Sequence, residues 1–235
     1  MKPDKLRRGE NLLLAALPAA ERETLLGEAE AVELGFKLVL QEAECPLTHV
    51  WFPHSGVAST VSTMVDGATV ELATTGREGF IGVPALMGAE RSAQNVFVQI
   101  PGPGVRLSVG KFRSLLDKLP ALRPLLLRYT LAFMTQIAQG AACNRLHPIE
   151  ARCARWMLMT HDRVDGDSFP LTQEFLGQML GVTRPSVSVA ASILQKAGFI
   201  RYVRGSVEVL DRDRLATASC ECYEIINREF DRALG

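Results

Sequence analysis

The side chains in this 235-residue chain that are typed and spaced for chemistry suit recognition better than bond-making. Thr183, Arg184, Pro185, Ser186 and Ser188 open a segment that holds no acidic residue before Lys196. A guanidinium there can pair with guanine N7 and O6, and hydroxyls can reach base edges or phosphate. The five cysteines are Cys45, Cys143, Cys153, Cys220 and Cys222, and the odd count argues for free thiols. Cys220-x-Cys222 is too close for an ordinary disulfide framework. Without a C-x-x-C pair a zinc ribbon is unsupported, so no metal ligands are assigned. His49 and His54 lack the H-x-H spacing of a metal-holding roll. No G-x-S-x-G, P-loop or G-x-G-x-x-G occurs, so no enzyme and no required cofactor are expected.

The elements that must position these residues change in texture along the chain. Glu10–Leu34 reads as helical, with a break at Pro18. From Phe36 to Val109, short apolar runs alternate with turn residues such as Asp66-Gly67 and Pro101–Gly104, the pattern of a β-roll or barrel. Phe112–Leu119 is a short helix. About Leu125–Leu146 is a long one, ended by His147-Pro148. Leu122, Leu126, Tyr129, Phe133, Ile137 and Gly140 recur every three or four residues. The stripe predicts a dimer seam, with packing inside its own domain as the plainer alternative.

Leu171–Leu210 carries the clearest pattern. Thr172 caps a helix through Leu180, and Gly181 ends it. Thr183 caps a second helix with Pro185 in its first turn. Two short strands then flank Arg204-Gly205, which predicts a wing. Two helices around a glycine turn, followed by a hairpin, form a winged helix-turn-helix, and the polar start of the second helix suits a DNA major groove. The candidate DNA-contacting set is Thr172, Thr183, Arg184, Pro185, Ser186, Ser188, Lys196, Arg201 and Arg204. Charge agrees with this placement: 9 basic residues face 13 acidic ones through Gly110, and 17 face 13 from Lys111 onward.

With these elements in order, nearly the whole chain resembles the cAMP receptor protein/fumarate–nitrate reductase regulator (Crp/Fnr) family. The run Leu171-Thr-Gln-Glu-Phe-Leu-Gly-Gln-Met-Leu-Gly-Val-Thr-Arg-Pro-Ser-Val-Ser is similar to the family's helix-turn-helix signature. Gly79-Phe-Ile-Gly-Val-Pro-Ala-Leu-Met-Gly-Ala-Glu-Arg-Ser-Ala93 resembles its phosphate-binding cassette. The resemblance implies an α+β fold with a cyclic-nucleotide-binding-like β-roll (double-stranded β-helix) over 1–120, a dimerisation helix over 121–147 and a winged helix-turn-helix over 148–235. It implies effector contacts at Gly82, Val83, Arg91 and Ser92. Valine at 83 stands where cyclic-nucleotide binders hold the ribose hydroxyl with a glutamate. Losing one charge-assisted bond costs roughly 1.5–3 kcal/mol, about one to two decades of affinity, so ordinary cAMP is not the expected effector. Pro185 and Val189 replace a Glu and an Arg that read bases in the cAMP branch, so the operator should differ.

No cysteine precedes Cys45, which argues against the N-terminal iron–sulfur cluster of the fumarate–nitrate branch. His49, His54 and His147 read as ordinary histidines before haem ligands, and a redox role for Cys143 or Cys153 stays open. The expectation is therefore a cytoplasmic, homodimeric transcription regulator with no membrane association. Its partners are a palindromic double-stranded operator, a second copy of itself and RNA polymerase, with an unidentified small-molecule effector left open. The alternative is a ligand or redox sensor with lost or weak DNA binding.

Overall fold

The computed structural model describes residues 9–235. Two short helices, α1 (Leu12–Ala15) and α2 (Ala19–Glu28), meet at Pro18. Seven strands follow: β1 (Glu30–Leu34), β2 (Val39–Gln41), β3 (His49–Pro53), β4 (Val57–Thr63), β5 (Thr69–Thr75), β6 (Asn95–Ile100) and β7 (Gly102–Ser108). They form two antiparallel sheets, ordered β1-β7-β3 and β2-β6-β4-β5. The turn α3 (Val83–Leu86) interrupts them, and α4 (Val109–Lys118) closes the roll.

Two expectations need correction here. Glu30–Leu34 is a strand, not the end of a helix, because it pairs in register with β7 from Glu30↔Arg106 to Leu34↔Gly102. Long-range pairing overrides local helical composition. For the same reason β7 begins inside the expected turn: Gly102–Gly104 is flanked by β1 on one side, and Gly104 pairs with Pro53 of β3 on the other.

The long helix α5 (Leu122–Leu146) leads through His147-Pro148 into α6 (Ile149–His161). The remaining elements are β8 (Ser168–Pro170), α7 (Gln173–Leu180), α8 (Arg184–Lys196), β9 (Ile200–Val203), β10 (Ser206–Val209), α9 (Arg212–Ala218) and α10 (Cys222–Leu234). Strands β8, β10 and β9 make a small antiparallel sheet.

Helix α10 decides what α5 buries. Its Tyr223, Ile226, Phe230 and Ala233 make one apolar stripe that lies along α5. The Phe230 ring sits 5.8 Å from that of Tyr129, and Tyr129 also meets Phe80 at 5.3 Å on the roll. The Arg128 guanidinium donates to the Ala233 carbonyl at 3.1 Å. Leu122, Leu126 and Tyr129 are thus buried inside their own chain, with Phe133, Ile137 and Gly140 partly covered. The sequence periodicity identified an apolar face, and α10 together with the roll takes up its Leu122, Leu126 and Tyr129 within the chain. Helix α5 leaves Leu127 (46%), Leu131 (63%) and Met134 (60%) exposed along its length, and Leu146 (74%) at its end. Ala138, Ala141 and Ala142 continue that face as small residues.

One continuous apolar core runs from Leu13 and Phe52 in the roll through Tyr129 to Leu176, Val187 and Ile226. Polar contacts join the same parts. Buried Arg163 pairs with Glu78 at 2.8 Å, and Arg77 pairs with Asp165 at 2.6 Å. Gln136 donates to the Thr74 carbonyl at 3.0 Å. The Phe97 ring meets Phe175 at 6.4 Å, edge to face, so α7 lies against the roll. No helix among the described residues is long and apolar enough to cross a membrane.

Candidate nucleic-acid interface

The helix pair is built locally. The Thr172 hydroxyl accepts from the Phe175 amide at 3.1 Å and caps α7. Gly181 ends α7 at φ 64°, ψ 38°, a left-handed conformation that side-chain-bearing residues resist. Gly177 lets the turn fold back on the helix: a Cβ there would lie 2.9 Å from the Val182 carbonyl oxygen. The Arg152 guanidinium of α6 donates to the Leu180 carbonyl, satisfying the end of α7. Thr183 stands at the N-cap of α8, but its hydroxyl pairs with that of Ser186 at 3.0 Å and does not cap the backbone.

Helix α8 buries Val187, Ala190, Ala191 and Leu194 against α6 and α7. Its other face carries Arg184, Pro185, Ser188, Val189, Ser192 and Lys196, all exposed. The structure thus puts Arg184, Pro185, Ser188 and Lys196 on one outward surface, with Thr183 at its edge and Ser186 half-buried. Val189, 59% exposed, joins them as an apolar member suited to a thymine methyl group. It was named above only as a departure from the cAMP branch.

The wing turns at Arg204 (φ 49°) and Gly205 (φ 79°). Two contacts tie it to the helix pair: Tyr202 Oη donates to the Leu171 carbonyl at 2.7 Å, and the Gly205 carbonyl accepts from the Leu171 amide at 2.8 Å. Arg204 is exposed at the tip. Arg201 forms an ion pair with Glu208 across the hairpin, so of the two wing arginines Arg204 is the one presented for phosphate.

The cassette residues diverge. Gly82, Val83 and Ser92 line a cavity of about 110 Å3 together with Gln41, Thr60 and Gln94. Arg91 does not line it: its side chain is exposed and donates to the Glu44 carbonyl at 3.0 Å. Ser92 Oγ is taken by Gln94, whose amide donates to it at 3.1 Å.

A second cavity, of about 160 Å3, lies where β5, α5, α6 and α7 meet. Glu71 lines it and accepts from Trp156 Nε1 and from the Ser59 hydroxyl, each at 2.8 Å. Burial pushes this carboxyl up to about 7, against the lowering effect of those donors and of Arg155 and Arg163.

The sequence reading assigned no metal ligands, yet the fold gathers Cys143, His147, Cys220 and Cys222. Cys143 and His147 are four apart at the end of α5, and Cys220-x-Cys222 opens α10. The available signal was the C-x3-H spacing, which puts both side chains on one helical face.

Comparison with known proteins agrees with this arrangement. Residues 151–218 match the family model of the Crp-like helix-turn-helix domain. The structure of FixK2 from Bradyrhizobium japonicum is similar at a TM-score of 0.69 and 15% identity, over 82% of this chain and 98% of that one. A CRP-family transcriptional regulator from Thermus thermophilus is similar at 0.66 and 18%, over 80% and 96%. The regulator CLP of Xanthomonas campestris, described as responsive to c-di-GMP, is similar at 0.59 and 16%, over 82% and 99%. No curated protein sequence matches the chain.

Proposed function

We propose, from the Crp-like helix-turn-helix domain matched over 151–218 and from a fold shared with Crp/Fnr regulators, that the chain is a Crp/Fnr-type, sequence-specific, homodimeric DNA-binding transcription regulator. The carrying observation is the outward face of α8, where Arg184, Ser188, Val189 and Ser192 stand exposed, as does the wing arginine Arg204. Each protomer inserts the start of α8 into a major groove, and two copies place their half-sites about 34 Å apart. Arg184 reads a guanine; Lys196 and Arg204 hold phosphate and make affinity fall with salt.

The copies pair through the exposed α5 face of Leu127, Leu131 and Met134, with the alanines beyond letting the backbones approach. That face is the part of the helix that the chain's own α10 leaves uncovered.

The roll senses something other than ordinary cAMP. Its cavity of about 110 Å3 is well below the roughly 300–1,000 Å3 of ordinary ligand pockets, and no cation lines it. Val83 has no acceptor for a ribose hydroxyl, and Arg91 is turned outward.

The test is selection of random duplexes by the purified chain without added ligand, followed by sequencing of what is retained. A palindromic consensus with two half-sites one helical turn apart is the expected result. Retention of nothing at low salt, with or without a panel of nucleotides, overturns the DNA-binding reading and leaves a sensor that no longer reads DNA.

A further inference from the structure

The four side chains at the junction of α5 and α10 have the composition of a closed soft-metal site. Cys143 Sγ lies 3.5 Å from Cys220 Sγ, and Cys222 Sγ lies 3.4 Å from His147 Nδ1. All four donor atoms fall within 4.8 Å of one another. Tetrahedral zinc with bonds of about 2.3 Å to sulfur and 2.0–2.1 Å to nitrogen separates its ligands by roughly 3.5–3.8 Å.

The surroundings fit the same chemistry. Glu221 lies 3.3 Å from His147 Nε2, on the opposite side of the ring from Cys222. A carboxylate on the far nitrogen holds the proton there and leaves Nδ1 to donate its lone pair, the outer-sphere arrangement of ligating histidines. Gln139 Nε2 donates to Cys222 Sγ at 3.2 Å, a bond that favours sulfur as a thiolate. Cys222 is the first residue of α10, where the helix dipole also favours negative sulfur. Cys143 and Cys222 are fully buried and Cys220 nearly so, which protects the sulfurs from solvent.

We propose that Cys143, His147, Cys220 and Cys222 bind one zinc ion, which joins the end of the long helix to the start of α10. Three thiolates and one imidazole select a soft, tetrahedral divalent ion, and four protein donors leave no open position. The ion is therefore structural. It sits one turn before α6 and fixes the angle at which the chain leaves α5 for the helix-turn-helix. Binding displaces the thiol protons of the three cysteines to solvent and changes no oxidation state.

The full chain, purified under reducing conditions with any affinity tag removed, is analysed for metals by plasma mass spectrometry. One zinc per chain is expected. Cys220→Ser with Cys222→Ser should lose it, while Cys45→Ser, away from the cluster, should keep it. Because the double variant can fail to fold, the unaltered chain is also stripped with a chelator and refilled with cobalt(II). Intense visible bands and a thiolate charge-transfer band at one equivalent are expected, the signature of tetrahedral cobalt on sulfur. Three outcomes overturn the site: no zinc and no cobalt signature after refilling, iron with acid-labile sulfide in place of zinc, or a Cys143–Cys220 disulfide persisting in reductant. Loss of zinc in Cys45→Ser overturns it as well.

Discussion

The helix-turn-helix and the cassette of the β-roll were equally visible as motifs, and the fold treats them differently. On α8 the expected contacts Arg184, Pro185, Ser188 and Lys196 stay on one open face. In the roll, Arg91 leaves the cavity that Gly82, Val83 and Ser92 still line. The first motif works through the fixed spacing of residues on one helix. The second works only if the segment between β5 and β6 folds its side chains back into the cavity, and that is a property of packing. A motif of the first kind transfers function more safely than one of the second.

Variants can sharpen that contrast. The largest effect is expected from Leu131→Glu with Met134→Glu, which places charges in the proposed seam. Loss of the second half-site should weaken operator binding on the order of a hundredfold or more. Sedimentation should show monomers, and a variant that remains dimeric moves the seam elsewhere.

Next is Arg184→Ala, expected to cost about 1–3 kcal/mol, or roughly 5- to 150-fold, and to relax selection at one base pair. Equal weakening on all sequences, read by titration against a set of duplexes, would reduce Arg184 to a phosphate contact.

A smaller effect concerns Glu71, faced by Ser59, Trp156, Arg155 and Arg163. Its carboxyl is raised from an ordinary 4.5 to about 7, so the folded chain binds more protons than the unfolded chain between those values. Its contribution is therefore complete at low pH and is lost as pH rises through about 7. Melting temperature should fall over that window, and Glu71→Gln should flatten this part of the slope. An unchanged slope removes Glu71 as its source.

The smallest change is expected for Arg91→Ala. With its guanidinium on an exposed backbone carbonyl, stability should stay within about 0.5 kcal/mol and operator binding should not change. A large loss of binding would restore the cassette as an anion site.

What the sequence revealed follows the same division. The Thr172 cap, the Gly181 turn, the proline at the start of α8 and the helix–helix–hairpin order of Leu171–Leu210 were legible because each signal is local in the chain. Periodicity showed which face of α5 is apolar but not that α10 and the roll cover Leu122, Leu126 and Tyr129. Helix α10 went unread, although Tyr223, Ile226 and Phe230 recur at helical spacing. The Cys/His group was invisible as a group because Cys143 and Cys220 are 77 residues apart. β1 was read as helix for want of its partner β7, which lies far along the chain.

The return of α10 onto α5 also sets an order of events during synthesis. Arg128 and Ala233, which meet in the finished fold, are 105 residues apart. At ribosomal rates of about 5–20 residues per second, the Tyr129 face waits several seconds for its cover. During that interval the nascent chain exposes a helix apolar on two sides, one side destined for α10 and the other for the second copy proposed above. A partner that arrives early can settle on the wrong one. Chains cut before Cys220 should therefore be caught by chaperones or aggregate, even though every element of the roll and of the helix-turn-helix has already been made.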